Sequence, residues 1–332
     1  RDNYIKSLKI WLYTLFLLIV SMVAVGGLTR LTDSGLSITA WELFTGVLPP
    51  LNNDEWINYF SKYKKIPEYK NVNFGMTLNE FKIIFYWEYA HRLLARIVGL
   101  FSIIPLLILT FKFKGTKFYS NKYYIIFILI CLQGFIGWYM VSSGLIENND
   151  VSHFRLSIHL SLALFILILT FWFLLELSDV NRFKTKISKL LLVIILTLLI
   201  LQIILGSFLS GLDGGLIYNS WPDMNGTFFP NDLNLSDYLS KQVFYNPSII
   251  QFLHRITAYA LLLFIIILNF EFYKKRLALS NILIFNFAIL LQIFLGIITL
   301  ISGVEIKFAS LHQLGSIFVL SSYFLIIYKN FN

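Results

Sequence analysis

Eight apolar runs, each long enough to cross a lipid bilayer as a helix, dominate the sequence. About 20 apolar residues are needed to span roughly 30 Å of hydrocarbon. Of the 332 residues, 57% are hydrophobic and only 14% are charged, which is far from the composition of a soluble protein. The sequence therefore predicts an all-α polytopic membrane protein. Its eight predicted transmembrane helices are 10–28, 82–111, 123–143, 153–176, 187–209, 249–273, 278–301 and 308–328.

The lysines and arginines predict the orientation of these spans. Cytoplasmic loops are enriched in basic residues. The three short basic loops fall on the same side of the membrane as the N-terminus, opposite the two long loops, 29–81 and 210–248. Both termini are therefore predicted to be cytoplasmic, with the long loops outside. Anionic lipid head groups account for the formal charge of +9, so no nucleic-acid partner is expected. The basic loops contain Lys112, Lys114, Lys117 and Lys122, then Arg182, Lys184, Lys186 and Lys189, and finally Lys274, Lys275 and Arg276.

An internal repeat organises the chain. Each half contains four predicted spans and one long outer loop. We therefore predict two pseudo-symmetric four-helix bundles, 1–180 and 181–332, related by a pseudo-twofold axis along the membrane normal. The matched motifs are Asp33-Ser-Gly35-Leu36 with Asp213-Gly-Gly215-Leu216, His91-Arg92 with His254-Arg255, and Leu132-Gln133-Gly-Phe-Ile-Gly137 with Leu291-Gln292-Ile-Phe-Leu-Gly296.

Small residues inside the spans are interpreted as packing residues. Gly134 and Gly137 lie in the third span, and Gly206 lies in the fifth. Glycine allows helix backbones to approach closely in a membrane. The sequence predicts a role in helix packing for all three and gives none of them a chemical role.

Four of the five histidines occupy matched positions, on the second and fourth helix of each half. Two histidines at one depth on different helices can hold a planar macrocycle between them, and imidazole is a common axial ligand of haem iron. The pattern therefore favours one haem-sized site in each half, with His153 as a packing residue outside both. The four candidate ligands are His91, His159, His254 and His312.

Two other interpretations of the four matched histidines compete with haem binding. A lone histidine in a membrane span is often a hydrogen-bonded packing residue, but four in matched pairs make that interpretation weaker. Zinc is disfavoured because no cysteine or acidic residue completes a compact ligand shell beside either pair.

Glu88 distinguishes the two halves. It is the only acidic residue well inside a predicted span, and burying it is costly unless it is paired or protonated. It precedes His91 by three positions and so shares a helix face with it, whereas the second half has Gln251 at this position. One half is thus suited to proton-coupled chemistry and the other to holding a cofactor. An ion pair of Glu88 with Arg92 or Arg96 is an alternative that is compatible with catalysis.

Three arginines are candidate contacts for haem propionates. Arg92 and Arg255 directly follow matched histidines, and Arg155 lies one turn from His159. Guanidinium groups pair with carboxylates in a bidentate manner. Extension of the side chains to lipid head groups is the competing interpretation.

These motifs together resemble the haem A synthase family. The resemblance rests on Glu-x-x-His-Arg at 88–92, Thr29-Arg30-Leu-Thr-Asp33-Ser-Gly35-Leu36-Ser with Trp41, Leu253-His254-Arg255 and Leu311-His312. It runs from the first span to the eighth. It implies a membrane enzyme that oxidises the methyl group at ring position 8 of haem O to a formyl group through successive hydroxylations, giving haem A for terminal oxidase assembly.

The resemblance also implies roles for particular residues. His91 and His159 would ligate the iron of the substrate haem, Glu88 would be the catalytic carboxylate, and His254 with His312 would bind a haem b cofactor that relays electrons. Haem O synthase and terminal oxidase assembly factors are the implied candidate partners, and the electron donor is left open. The implied location is the bacterial inner membrane, or the mitochondrial inner membrane for a eukaryotic protein.

The chain departs from part of that family in its cysteines. Some bacterial members carry a cysteine pair in an outer loop, whereas this sequence has only Cys131, in the third span. No disulfide can form within the chain. The sequence therefore resembles the cysteine-free branch of mitochondria and their bacterial relatives.

Two rival functions belong to other classes. A di-haem b-type cytochrome that only transfers electrons would also use paired histidines, and a haem transporter or chaperone would bind haem without modifying it. The contrast between Glu88 and Gln251 disfavours a simple electron carrier, because such a carrier has no use for a carboxylate in one half alone.

Overall fold

The computed structural model describes residues 2–112, 121–146 and 149–331, with the side chains of residues 235, 238 and 242 left out of the description. Lys114 and Lys117, which contribute to the predicted orientation, lie outside the described residues.

Helices make up nearly all of the regular structure in the described part of the chain. Eight of them are long and apolar enough to cross a membrane, so the prediction of eight spans in an all-α fold is confirmed. The pseudo-symmetric layout and the cytoplasmic termini stay predictions. The α-helices are α1 (Asp2–Leu31), α2 (Asn53–Tyr63), α3 (Pro67–Asn71), α4 (Leu78–Lys112), α5 (Tyr124–Ser142), α6 (His153–Glu176), α7 (Lys189–Gly211), α8 (Leu235–Tyr238), α9 (Pro247–Lys274), α10 (Leu279–Ile301) and α11 (Ile306–Asn330).

The first span is longer than its apolar run. The sequence predicts a span from residue 10, but α1 begins at Asp2. Tyr4 and Leu8 are buried within this extension, at 1% and 0% exposure. The length of an apolar run corresponds to the thickness of hydrocarbon that a helix crosses. The helix itself continues beyond that run where its residues pack against other parts of the protein.

One face of α1 is suited to lipid. Ile10, Tyr13 and Leu17 are exposed and recur at intervals of three and four residues, while Leu12 and Leu15 are buried between them. This spacing places the exposed side chains along one stripe of the helix. A large exposed apolar stripe would be a liability in water, but it is expected where a helix faces hydrocarbon.

The chain forms two compact units, Arg1–Thr170 and Phe171–Asn332. The predicted domain boundary between residues 180 and 181 stays a prediction. In the second unit α7 packs against α9, and α10 packs against α11. Leu268, Phe272, Phe285, Tyr323 and Ile326 are fully buried at its centre.

The repeat is reproduced where α1 and α7 end. Asp33 and Asp213, which are equivalent in the sequence repeat, both adopt the left-handed conformation, with φ of 48° and 50°. Aspartate tolerates this conformation better than most residues, and a left-handed residue commonly terminates a helix. The matched aspartates therefore turn the chain out of the helix at the same point in each half.

The long loop 29–81, which we call the outer loop after the side predicted for it, contains its own aromatic core, formed by α2, α3 and the first turns of α4. Trp56 and Phe85 pack edge to face with ring centroids 4.9 Å apart. Phe60 stacks on Phe81 with centroids 5.0 Å apart. These contacts explain why α4 begins at Leu78, before the predicted span at residue 82.

Glu68 is buried in this outer loop at 5% exposure. Tyr63 Oη donates to Glu68 Oε1 at 3.1 Å, and Asn73 Nδ2 donates to the same oxygen at 3.3 Å. The other oxygen, Oε2, is buried and has no hydrogen-bond partner. Burial, with a further contribution from Asp150, raises the pKa of Glu68 to about 8, so the neutral acid is the form that the loop accommodates.

We expect the outer loop to become less stable as the pH rises from about 4.5 to about 8. Folding raises the pKa of Glu68, so its contribution to stability is complete below the unfolded value and is lost as the pH passes through the folded value. The slope should reach at most about 1.4 kcal/mol per pH unit. Hydrogen exchange of α2 and α3 at several pH values measures the free energy of local opening.

Two variants serve as test and control. Glu68→Gln should flatten the pH dependence of local opening, and the exposed change Asp54→Asn should leave it unaltered. An equal slope in the Glu68 and Asp54 variants would contradict the assignment.

Candidate functional site

Glu88 lies on α4 with its carboxylate held by the outer loop of the first unit. The residue is 3% exposed. The Ser37 hydroxyl and the Ile38 backbone N–H both donate to Oε2, each at 2.7 Å. Arg92 Nε lies 3.1 Å from Oε1. A buried carboxylate needs several partners. The loop supplies hydrogen bonds to Oε2, and the next turn of α4 supplies an ion pair to Oε1, which has no hydrogen bond.

Arg92 fastens the same loop to α4. Its Nη1 donates to the Ala40 carbonyl at 2.8 Å, and its Nη2 donates to the Ile38 carbonyl at 3.1 Å. In the second unit, Arg255 Nη2 donates to the Tyr218 carbonyl at 3.2 Å. Tyr218 is the repeat equivalent of Ile38, so the two arginines perform the same structural task. The ion pair of Glu88 with Arg92, weighed as an alternative from the sequence, is present.

Gln251 occupies the position of Glu88 in the second unit but faces groups of the opposite polarity. It is buried at 1% exposure. Its Nε2 donates to the carbonyl oxygens of Gly214 and Tyr218, both at 3.1 Å. The loop of the first unit thus offers donors to a carboxylate, and the loop of the second unit offers acceptors to an amide. Each side chain is matched to its own loop.

Arg96, the other candidate partner of Glu88, binds elsewhere. Its Nε donates to the Leu43 carbonyl at 3.0 Å, and its Nη2 donates to the Glu42 carbonyl. Arg96 therefore holds a later part of the outer loop and leaves Arg92 as the basic residue paired with Glu88.

Arg155, the third predicted propionate contact, reaches from α6 to the end of α5. Its Nη1 donates to the Tyr139 carbonyl at 2.7 Å and lies 3.3 Å from Ser142 Oγ. Ser142 also borders a cavity of about 40 Å³ that Trp41, Arg92 and Trp138 line. Arg92 and Arg155 therefore both lie near this cavity, although each already donates to backbone carbonyls.

The four matched histidines lie on α4, α6, α9 and α11. His159 lies close enough to His91 for charges on the two rings to repel each other, and the same holds for His254 and His312. The structure therefore brings the predicted ligands together in pairs, one pair in each unit. His153 begins α6, is 8% exposed and packs on Phe154 with ring centroids 4.2 Å apart.

Each of these four imidazoles packs against a glycine of the preceding span. A Cβ atom added to Gly26 would lie 2.9 Å from Cε1 of His91, and one added to Gly137 would lie 3.0 Å from Cε1 of His159. The corresponding distances are 3.3 Å for Gly206 and His254, and 2.9 Å for Gly296 and His312. Real Cβ atoms almost never come within 3.0 Å of another heavy atom. The glycines therefore leave room for the histidine rings, a role that sequence reasoning missed.

A glutamine four residues before the glycine accompanies three of these contacts. Gln133, Gln202 and Gln292 donate from Nε2 to the backbone carbonyls of His159, His254 and His312, at 2.9, 2.8 and 3.0 Å. The sequence contains a pattern that marks these contacts, Gln-x-x-x-Gly, which occurs in α5, α7 and α10. In α1 the position is occupied by Met22, so the His91 site lacks this glutamine.

The ring nitrogens of His312 fit the binding of haem iron, whereas Nδ1 of His159 lies 3.2 Å from the amide donor Gln133 Nε2. His312 Nδ1 lies 3.1 Å from the Gln292 carbonyl; donation to that oxygen leaves the lone pair of Nε2 available for a metal. Nδ1 of His91 and of His254 is buried without a hydrogen-bond partner. Within the described residues no group of three or more His, Cys, Asp and Glu side chains could hold a metal ion. Pairs of imidazoles suit an iron that takes its other ligands from a macrocycle.

Comparisons with known proteins identify the family of this chain. Residues 9–324 match the family described as COX15-CtaA, cytochrome oxidase assembly protein. A protein of Pelagibacter ubique named "Heme A synthase" is 73% identical over 331 residues, covering 100% of this chain and 98% of that protein. Proteins with the same name in Rickettsia bellii and in Wolbachia pipientis are 43% and 39% identical, covering 95% and 96% of this chain and 96% and 92% of those proteins. The chain therefore belongs to the COX15-CtaA family of cytochrome oxidase assembly proteins.

Proposed function

We propose that this protein is a haem A synthase, which oxidises the methyl group at ring position 8 of haem O to a formyl group and so supplies haem A for terminal oxidase assembly. The observation that carries the proposal is the buried carboxylate of Glu88, which precedes His91 by three positions on α4. The name shared by relatives that cover nearly the whole chain supports the same reaction.

The two units divide the task. His91 and His159 hold the iron of the substrate, haem O, in the unit that contains Glu88. His254 and His312 hold a haem b cofactor in the unit that contains Gln251. When bound, the cofactor supplies electron transfer, which amino-acid side chains do not provide.

Glu88 is proposed to manage protons beside the substrate. Oxidation of a methyl group to a formyl group moves protons together with electrons, and a carboxylate next to the reacting centre can accept or donate those protons. The same carboxylate can stabilise positive charge that develops during oxidation. The Ser37 hydroxyl can donate to a carboxylate or accept from a carboxylic acid, so the surroundings of Glu88 accommodate both of its protonation states.

Arg92, Arg255 and Arg155 are proposed to lie at the propionate edge of the two haem sites. All three donate to backbone carbonyls. A propionate would therefore meet guanidinium groups that the outer loops and α5 already hold in position, which lowers the entropic cost of binding.

The protein is proposed to act in the inner membrane, with haem O synthase and terminal oxidase assembly factors as candidate partners. Eight apolar helices support a multi-pass membrane protein. Haem O is apolar along much of its surface, so a site within the bilayer suits its delivery from a membrane enzyme.

Expression of the chain in cells that make haem O tests the function. Extracted haems are separated by chromatography and identified by pyridine haemochrome spectra. Haem A that accumulates only when the chain is present is the expected result. Haem B bound to the purified protein with haem O untouched would assign the protein to the di-haem cytochromes, and bound but unmodified haem O would make it a transporter or chaperone.

The glycines beside the histidines give a graded prediction. Gly137→Ala should lower haem affinity by about tenfold, because the added methyl group displaces the His159 ring and outer contacts of this kind tune ligand binding by 10-fold to 100-fold. Gly206→Ala should have a smaller effect, since its Cβ would meet His254 at 3.3 Å rather than 3.0 Å. Titration of the purified protein with haem, followed by absorption spectra, measures the affinity.

Gly134→Ala is the matched control for this series. Gly134 lies one turn before Gly137 on α5, and a Cβ there would meet no atom within 4 Å. The substitution should leave haem affinity unchanged and stabilise the helix by roughly 0.5–1 kcal/mol. Equal losses of affinity in the Gly134 and Gly137 variants would attribute the effect to helix packing instead.

A further inference from the structure

We infer that Ser37 is a positioning residue for Glu88, and that its hydroxyl fixes the carboxylate in the orientation that the reaction uses. The inference rests on the proposed function, because it concerns the residue to which that function assigns proton transfer. It starts from a contact: Ser37 Oγ lies 2.7 Å from Glu88 Oε2 across 51 positions of sequence.

The contact is shielded from solvent on both sides. Ser37 is 1% exposed and Glu88 is 3% exposed. A hydrogen bond to a charged group in such surroundings is stronger than one in water, and a missing partner cannot be replaced by solvent. Ser37 is therefore the side chain outside α4 on which the position of Oε2 depends, together with the backbone N–H of Ile38.

The repeat provides an internal comparison. The outer loop has Asp33-Ser-Gly35-Leu36-Ser37-Ile38 in the first half and Asp213-Gly-Gly215-Leu216-Ile217-Tyr218 in the second. Ile217 replaces Ser37 in the half where Gln251 replaces Glu88. The hydroxyl is thus present where a carboxylate must be held and absent where an amide finds backbone carbonyls instead.

The Ser37 hydroxyl has a second acceptor within reach. Its Oγ lies 3.3 Å from the Ile84 carbonyl, one turn before Glu88 on α4. When Glu88 is ionised, the hydroxyl donates to Oε2. When Glu88 carries a proton on Oε2, the hydroxyl can accept that hydrogen and donate to Ile84 instead. Ser37 can therefore keep Glu88 in one place in both states, which alanine cannot do.

Four variants of the full chain test the inference, each expressed with haem O supply. Ser37→Ala should lower the yield of haem A per bound haem by about tenfold or more, as expected for the loss of a hydrogen bond to a charged group, while haem content stays unchanged. Ser37→Thr keeps the hydroxyl and should restore at least half of the yield. Ser34→Ala removes another buried hydroxyl of the same loop, and Ile217→Ser adds one at the repeat position; both should retain the yield.

Infrared difference spectra of the purified protein supply a readout besides activity. The carboxyl band that Glu88→Gln abolishes should shift in Ser37→Ala and stay in place in Ser34→Ala. An unshifted band together with full haem A yield in Ser37→Ala, while Glu88→Gln is inactive, would overturn the role of Ser37 alone. Full yield in both variants would overturn the catalytic role of Glu88 as well. Loss of bound haem or of folded protein in both Ser37→Ala and Ser34→Ala would show that the loop hydroxyls are structural and would also overturn the inference.

Discussion

Replacement of Glu88 by glutamine is expected to reduce haem A formation by at least about 100-fold, the lower end of what a general acid or base contributes, without loss of bound haem. The amide has the shape of the carboxylate, and its oxygen can accept the hydrogen bonds that the Ser37 hydroxyl and the Ile38 N–H donate. What the variant loses is the ability to take up a proton beside the substrate. Chromatography of the extracted haems, with bound haem measured on the same sample, checks the result.

Two further variants sharpen this test. Glu88→Asp keeps the charge but shortens the side chain, which moves the carboxylate away from Ser37 and Ile38; it should give an intermediate yield. Glu68→Gln makes the same chemical change at another buried carboxyl of the first unit and should retain haem A formation. If Glu88→Gln converted haem O as fully as the unaltered chain, the catalytic assignment of Glu88 would be wrong.

The two units differ by more than the exchange of Glu88 for Gln251. Glu88 and Gln251 differ by one functional group, but their loops differ too: Ser37 and the Ile38 N–H donate in one unit, while the Gly214 and Tyr218 carbonyls accept in the other. A carboxylate placed at Gln251 would have one oxygen against the Gly214 and Tyr218 carbonyls, which would repel it. Its other oxygen would still lie near Arg255 Nη2, which donates to Gln251 Oε1 at 3.4 Å. Exchange of that one residue therefore would not reproduce the donors of Glu88, which the Ser37 hydroxyl and the Ile38 N–H supply in the first unit.

Much of the fold could be predicted because apolar runs and repeats are local features of a sequence. Spans 153–176 and 278–301 agree with α6 and α10 to within one residue. α1 starts eight residues before the predicted span, since the burial of Tyr4 and Leu8 depends on neighbours that no local window contains. The start of α4 differed because its first turns pack on aromatic side chains of the outer loop.

The candidate site was predictable in its residues but less so in its contacts. Histidine and glutamate are rare in membrane spans, so their repeat-matched positions stood out. Ser37, the partner of Glu88 in the outer loop, could not be recognised from the sequence. It lies 51 positions away from Glu88, and serine is common in loops. Gly137 and Gly206 were assigned to helix packing from the sequence, and the structure places each against a histidine ring. Such contacts depend on which face of each helix meets its neighbour.

Replacement of His254 or His312 by alanine is the second prediction with a large expected effect. Either change removes one of two imidazoles from the proposed haem b site, so the affinity for that haem should fall by more than the 10-fold to 100-fold that outer contacts contribute. The purified variant should lack haem b, and haem A formation should cease because the proposed electron relay is lost. Alanine at His91 or His159 should instead preserve haem b and abolish the conversion of haem O.

Absorption spectra and haem analysis of the four purified variants separate these outcomes. His153→Ala serves as the control, since His153 lies outside both pairs and packs on Phe154; it should retain both haem b and haem A formation. Loss of haem b in the His91 and His159 variants, with retention in the His254 and His312 variants, would reverse the assignment of the two units. That reversal would leave Glu88 beside the cofactor instead of the substrate. The histidine variants thus test the division of labour independently of the carboxylate, because they report which unit holds which haem whether or not the reaction proceeds.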